Sequence, residues 1–137
     1  MNPVAVFAIL LGLVALSTVL GLIWKARTGR VRSVDGDVVR LPEIPRDGRV
    51  TLLQFSTEVC APCVPTRRVL GQIAASTDGV NHVDFDLTHR PDIAARFNVL
   101  QTPTTFILDR DGHIRARIGG APRQSDVRAA LDSILAA

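Results

Sequence analysis

The stretch Ser56–Pro65, "STEVCAPCVP", holds the chain's two cysteines, Cys60 and Cys63, three positions apart. A pair at this spacing can do one of three things. It can cycle between dithiol and disulfide and so carry two electrons. It can supply half of a metal site. It can staple a turn. The staple would contribute little, because closing so short a loop removes little entropy from the unfolded chain. A structural zinc site commonly takes four ligands. The histidines His82, His89 and His113 lie on separate segments without ligand spacing and read as ordinary surface or strand residues. A four-ligand site within one chain is disfavoured, while a two-thiolate copper site or one shared between chains stays open.

The elements around the pair favour redox chemistry. "RVTLLQF", residues 49–55, is β-branched and apolar and reads as a largely buried strand. Residues from about Ala61 to Ala75 read as a helix, with Val64, Val69, Leu70, Ile73 and Ala74 as its apolar positions. The cysteines therefore enter a helix at its first turn, where unpaired N–H groups and a partial positive end favour an anion. A thiolate at Cys60 would be stabilised there, and the thiolate is the nucleophile. Cys63, one turn further in, would be less exposed and able to attack a mixed disulfide held on Cys60. Pro62 suits a helix start. Together with Ala61 it forms the dipeptide that tunes the couple.

The rest of the domain follows by periodicity. "VNHVDFDL" (80–87) alternates as a second strand, and "RPDIAARFNV" (90–99) starts a helix through Pro91. "TTFILD" is a third strand, "RDG" a turn, and "HIRARIG" a fourth strand broken by Gly119 and Gly120. A last helix carries Val127, Leu131, Ile134 and Leu135 on its apolar face. The expected order is β-α-β-α-β-β-α: an α/β fold with a mixed four-stranded sheet flanked by helices on both faces. Strands joined through a helix are expected to be parallel, and the final hairpin antiparallel.

That order, with "CAPC" at a helix start and "TPT" (Thr102 to Thr104) some 40 residues later, resembles the thioredoxin family over Arg49 to Ala137. The resemblance implies a thioredoxin-like fold and a protein thiol–disulfide oxidoreductase, with Cys60 attacking, Cys63 resolving, and no organic cofactor. It implies a cis Thr102–Pro103 bond beside the cysteines, with the Thr102 backbone pairing to an extended substrate segment. It also implies that a side chain at Gly119 or Gly120 would crowd a docking partner. Partners would be protein thiols or disulfides and an electron donor or acceptor. Three positions depart from the family's pattern. Gln54 stands where a buried acid is usual, Asp84 where its lysine neighbour is usual, and Val59 where a tryptophan precedes the first cysteine. The usual proton acceptor for Cys63 is thus absent, leaving water, Glu58 or Asp84 for that task. Glu58, Asp84 and Asp86 otherwise read as solvated carboxylates. The alternative functions are a tethered copper-binding or delivery module on Cys60 and Cys63, and an adaptor that uses the surface without redox chemistry.

Residues Pro3 to Trp24 run 22 positions without a charged side chain. As a helix they would span about 33 Å, enough to cross a hydrocarbon core of ~30 Å. Only Ser17 and Thr18 are polar, with hydroxyls able to bond back to helix carbonyls. A cleavable signal peptide would want a positive leading segment, a shorter apolar core and a small-residue cleavage site. "IWKARTGR" offers no such site, so residues 1–24 are expected to be a retained transmembrane anchor. Lys25, Arg27, Arg30 and Arg32 follow it. Basic residues prefer the cytoplasmic side of a span, so a single-pass protein with a cytoplasmic domain is expected, with an outward-facing domain as the alternative. The cluster can also touch anionic lipid headgroups. It is short, lacks interleaved aromatics and adjoins the span, which argues against nucleic acid. Residues 25–48 read as a tether of limited order, with a short edge strand at "DGDVVRL", and 49–137 as the domain. The net charge of +3 adds nothing further.

Overall fold

Alternation on the central strands sorts the molecule into two cores. The computed structural model describes residues 2–137. Its elements are α1 (Pro3–Arg27), β1 (Val31–Ser33), β2 (Val50–Ser56), α2 (Cys63–Ala75), β3 (Val80–Asp86), α3 (Pro91–Arg96), β4 (Thr104–Leu108), β5 (Ile114–Gly119) and α4 (Gln124–Leu135). The sheet order is β1-β5-β4-β2-β3. β2 lies between neighbours and is buried at all seven positions. Its odd positions Leu53 and Phe55 join Phe85, Ile93, Phe106 and Leu108 on the α3 side. Its even positions Val50 and Leu52 join Leu70, Ile73, Ile107, Ile118, Val127 and Leu131 under α2 and α4. On the first side Phe55 is the hub. Its ring centroid lies 5.1 Å from that of Phe106 and 6.0 Å from those of Phe85 and Phe97. Such aromatic pairs contribute ~0.5–1.5 kcal/mol each beyond the area they bury.

The expected mixed sheet with helices on both faces is present, with two differences. The first is a fifth strand. β1 pairs antiparallel with β5, Val31 opposite Ile118, while "DGDVVRL" gives only an isolated bridge from Val38 to His113. The segment read as a tether is instead folded: Val39, Leu41 and Ile44 are buried in the α3-side core. Apolar residues spaced two and three apart gave it a face worth burying, so the packed domain begins well before Arg49. The second difference concerns strand direction. β2 and β3, joined through α2, are parallel. β4, joined to β3 through α3, runs antiparallel to β2. α3 has only six residues, so it rises about 9 Å and does not carry the chain back along the sheet.

α1 packs into neither core. None of its described residues is buried, and Pro3 to Trp24 carry no charged side chain. It is long and apolar enough to cross a membrane. Thr18 Oγ1 bonds the Val14 carbonyl at 2.8 Å, so that hydroxyl is satisfied within the helix.

Gly71 lies inside α2, and a Cβ there would stand 3.8 Å from His82 Nδ1, an ordinary contact. Glycine inside a helix costs up to ~1 kcal/mol against alanine. Gly71→Ala is therefore expected to stabilise the domain by ~0.5–1 kcal/mol. Thermal melting checks this, and an unchanged or lower midpoint contradicts it.

Candidate active site

β2 delivers the chain to the start of α2, and the cysteine pair occupies that junction. α2 begins at Cys63, with Pro62 as its cap residue. This is two residues later than the periodicity suggested, because Ala61 and Pro62 form a turn. Cys60 and Cys63 are joined as a disulfide with Cα atoms 5.4 Å apart. Cys63 N donates to the Cys60 carbonyl at 3.1 Å. The two residues differ in access. Cys63 is 1% exposed, whereas Cys60 is half-buried, with exposed Val59, Ala61 and Pro62 around it.

The Thr102–Pro103 bond is cis, as the resemblance implies. Thr102 Oγ1 lies 3.3 Å from Thr57 Oγ1, which ties this loop to the one bearing Cys60. Pro103 is buried, and its carbonyl accepts from Gly120 N at 2.8 Å. Among the described residues, the N–H and C=O of Thr102 make no backbone hydrogen bond. An extended segment lying beside Cys60 would meet a free donor and acceptor there.

Beneath the pair, the α2-facing positions of β2 and β3 are polar where the rest of that face is apolar. Gln54 is fully buried and bonded at both ends of its amide. Its Nε2 donates to the Cys63 carbonyl at 3.0 Å, and its Oε1 lies 3.2 Å from His82 Nε2. With the Gln54 nitrogen committed, its oxygen must accept, which assigns the Nε2–H tautomer to His82. Asp84 is opposite Gln54 in the parallel ladder. It accepts from Ser56 Oγ at 2.6 Å and pairs with the Arg67 guanidinium from α2. Asp84 is therefore not the solvated carboxylate the sequence suggested. A cleft of about 300 Å³ brings Cys60, Cys63, Glu58, Arg67, Asp84 and Asp86 together. Asp86 stays below the ordinary carboxylate range, chiefly because the Thr88 hydroxyl bonds to it.

Sequence reasoning missed Ser56, Arg67 and His82 as parts of this site. The available signal was the parity of the two strands. Gln54, Ser56, His82 and Asp84 are all even-numbered positions, the parity that Val50, Leu52 and Val80 place under α2.

The thioredoxin family model matches residues 42–133. The chain belongs to the thioredoxin family. Thioredoxin H2 of Arabidopsis thaliana is 37% identical over 84 residues, 59% of this chain and 60% of the relative. The chain thus spans about three fifths of that protein's length. A thioredoxin of Staphylococcus haemolyticus is 29% identical over 87 residues, 63% of this chain and 83% of the relative. Among solved structures, chloroplastic thioredoxin z superposes with a TM-score of 0.59 at 25% identity, covering 66% of this chain and 82% of that one. The thioredoxin NaTrxh of Nicotiana alata gives 0.56 at 21% identity, covering 65% and 76%. These likenesses agree with the mixed sheet and its flanking helices.

Burial holds the His82 imidazole below the usual histidine range; the Asp84 carboxylate opposes this and Arg67 adds to it. A histidine depressed by folding adds stability above its unfolded value of about 6.5 and loses it as pH falls through the lower folded value. The oxidised chain is therefore expected to melt at a lower temperature at pH 5.5 than at pH 7.5. His82→Gln, which keeps a donor for Gln54, should flatten that slope. A slope that survives the substitution contradicts the assignment.

Proposed function

We propose that this chain is a membrane-anchored thiol–disulfide oxidoreductase that exchanges its Cys60–Cys63 dithiol or disulfide with protein substrates. The observation that carries the reading is the unequal pair: Cys60 is half-buried, Cys63 is 1% exposed, and the loop that Thr102 ties to Thr57 offers a backbone N–H and C=O without partners among the described residues.

In the reducing direction the Cys60 thiolate attacks a substrate disulfide, bonds to one sulfur and expels the other as a thiolate. Cys63, once deprotonated, attacks the Cys60 sulfur and displaces the second substrate thiolate. Two electrons pass to the substrate, and Cys60–Cys63 is left as the disulfide. The dithiol carries the electrons, so the reaction calls on no organic cofactor, and a donor must restore the dithiol. Run backwards, the same steps oxidise substrate thiols. Thr102 and Pro103 seat the substrate, and Ala61 and Pro62 tune the couple. Asp84, which shares the cleft with both cysteines, accepts the Cys63 proton through water.

Residues 3–24 serve as the single-pass anchor, supported by the length and hydropathy of α1 and by the absence of buried residues among those described in it. Lys25, Arg27, Arg30 and Arg32 at its end support a cytoplasmic domain by the positive-inside rule.

Cys63→Ser is expected to accumulate mixed disulfides between Cys60 and partner proteins, visible as reductant-sensitive bands. Cys60→Ser should accumulate none. If Cys63→Ser traps nothing while its Cys60 is demonstrably reduced, exchange through Cys60 is wrong.

A further inference from the structure

The chain leaves α1 and joins the sheet within three residues, and the junction is fixed. Thr28 N and Oγ1 both donate to the Trp24 carbonyl at 3.0 Å and close the helix. Gly29 N donates to the Gly119 carbonyl at 2.8 Å. Gly29 and Gly120 have φ of +79° and +82°, and the space beside each is filled. A Cβ on Gly29 would strike the Ala121 carbonyl, and one on Gly120 would stand 2.6 Å from Thr28 Cγ2. What crowds Gly120 is thus the chain's own segment after α1. Gly120 in turn bonds Pro103, and Thr102 reaches Thr57, three residues from Cys60. Consecutive contacts therefore link the end of α1 to the cysteine pair.

Beside this junction lies a cleft of about 470 Å³ whose walls include Trp24, Arg27, Arg30, Arg32, Leu100 and Arg117. Four arginines line it, and no aspartate or glutamate does. Among the described residues, none of the four makes an ion pair. Arg117 is half-buried; its guanidinium donates to the Phe97 and Asn98 carbonyls and stands 5.2 Å over the Phe106 ring. Those contacts hold it in place without neutralising it. Like charges gathered at one concave surface repel each other and concentrate anions there. The guanidinium fork matches phosphate oxygens. Trp24 and Leu100, 76% and 86% exposed, add apolar surface to the same walls. A tryptophan ending an apolar helix belongs at headgroup depth.

We propose that this cleft binds the phosphate of an anionic phospholipid, which holds the cysteine-bearing edge of the domain against the membrane surface. The proposal rests on reading α1 as a span. The lipid is favoured over a free phosphate ion because the cleft opens at the end of the apolar helix and pairs its arginines with exposed apolar walls. The substrates such an orientation favours carry their disulfide on membrane-proximal segments.

The test uses the full chain in detergent micelles, with native mass spectrometry reading the lipid retained. One phosphatidylglycerol should be kept about tenfold in preference to phosphatidylcholine. Arg30→Gln with Arg32→Gln should abolish that preference. Arg40→Gln with Arg46→Gln, matched in charge and lining a different cleft, should retain it. Equal retention of the two lipids, or a preference that survives loss of Arg30 and Arg32, overturns the proposal. Displacement of the lipid by millimolar inorganic phosphate makes this a free-anion site and overturns it too. Alkaline carbonate extraction of membranes tests the anchor separately. Release of the wild-type chain refutes the span, whereas retention without lipid preference refutes only the cleft.

Discussion

The end of β2 constrains everything that matters chemically. β2 is buried along its whole length and paired on both edges, so the point where it stops is fixed in space. The chain must turn there into α2, and the turn is where Cys60 emerges and Cys63 is drawn in. Gln54, near the strand's end, ties the two elements by donating to the Cys63 carbonyl. An amide can do this in a fully buried position without the cost that ionising an acid there would carry. The sequence departs from the family's pattern at Gln54, and a carboxylate stands one strand over. Asp84, opposite Gln54, reaches the cleft that the cysteines share and is held by Ser56 and Arg67.

The second constraint is the attachment of the apolar helix α1. A flexible tether would let the domain sample many orientations. Instead β1 adds to the sheet three residues after α1 ends, and Val39, Leu41 and Ile44 bury themselves in the core. The segment that follows the apolar helix and the loop of the cis proline are therefore joined in one packed unit through Gly29, Gly119, Gly120 and Pro103, while α1 itself packs into neither core. Charge follows the same geometry: arginines from the helix end, from β1 and from β5 line a single cleft.

Much of this was legible in the sequence, for physical reasons. Period-two and period-3.6 patterns marked β2 through α4, because each element buries one face or both. The C-x-x-C marked the site because a strand–helix junction is a position that local geometry makes special, whereas the later Thr-Pro-Thr marked it only through the resemblance to the thioredoxin family. What stayed hidden depended on tertiary pairing. β1 is three residues long, and Val31–Arg32–Ser33 carries no signal until β5 lies beside it. The direction of β4 depended on how far six residues of α3 could carry the chain. His82 looked solitary because its partner is 28 positions away on the neighbouring strand. Asp84 looked solvated because Arg67 comes from a helix that only folding brings over it.

The central claim is that the two sulfurs have separate tasks, set by their access at the start of α2. Timed alkylation of the reduced, detergent-solubilised chain with a small haloacetamide tests it directly, with peptide mass spectrometry assigning the modified residue. The account predicts that Cys60 is modified first and nearly alone, while Cys63 stays protected until the domain is denatured. Equal rates at both residues, or faster modification of Cys63, would contradict it.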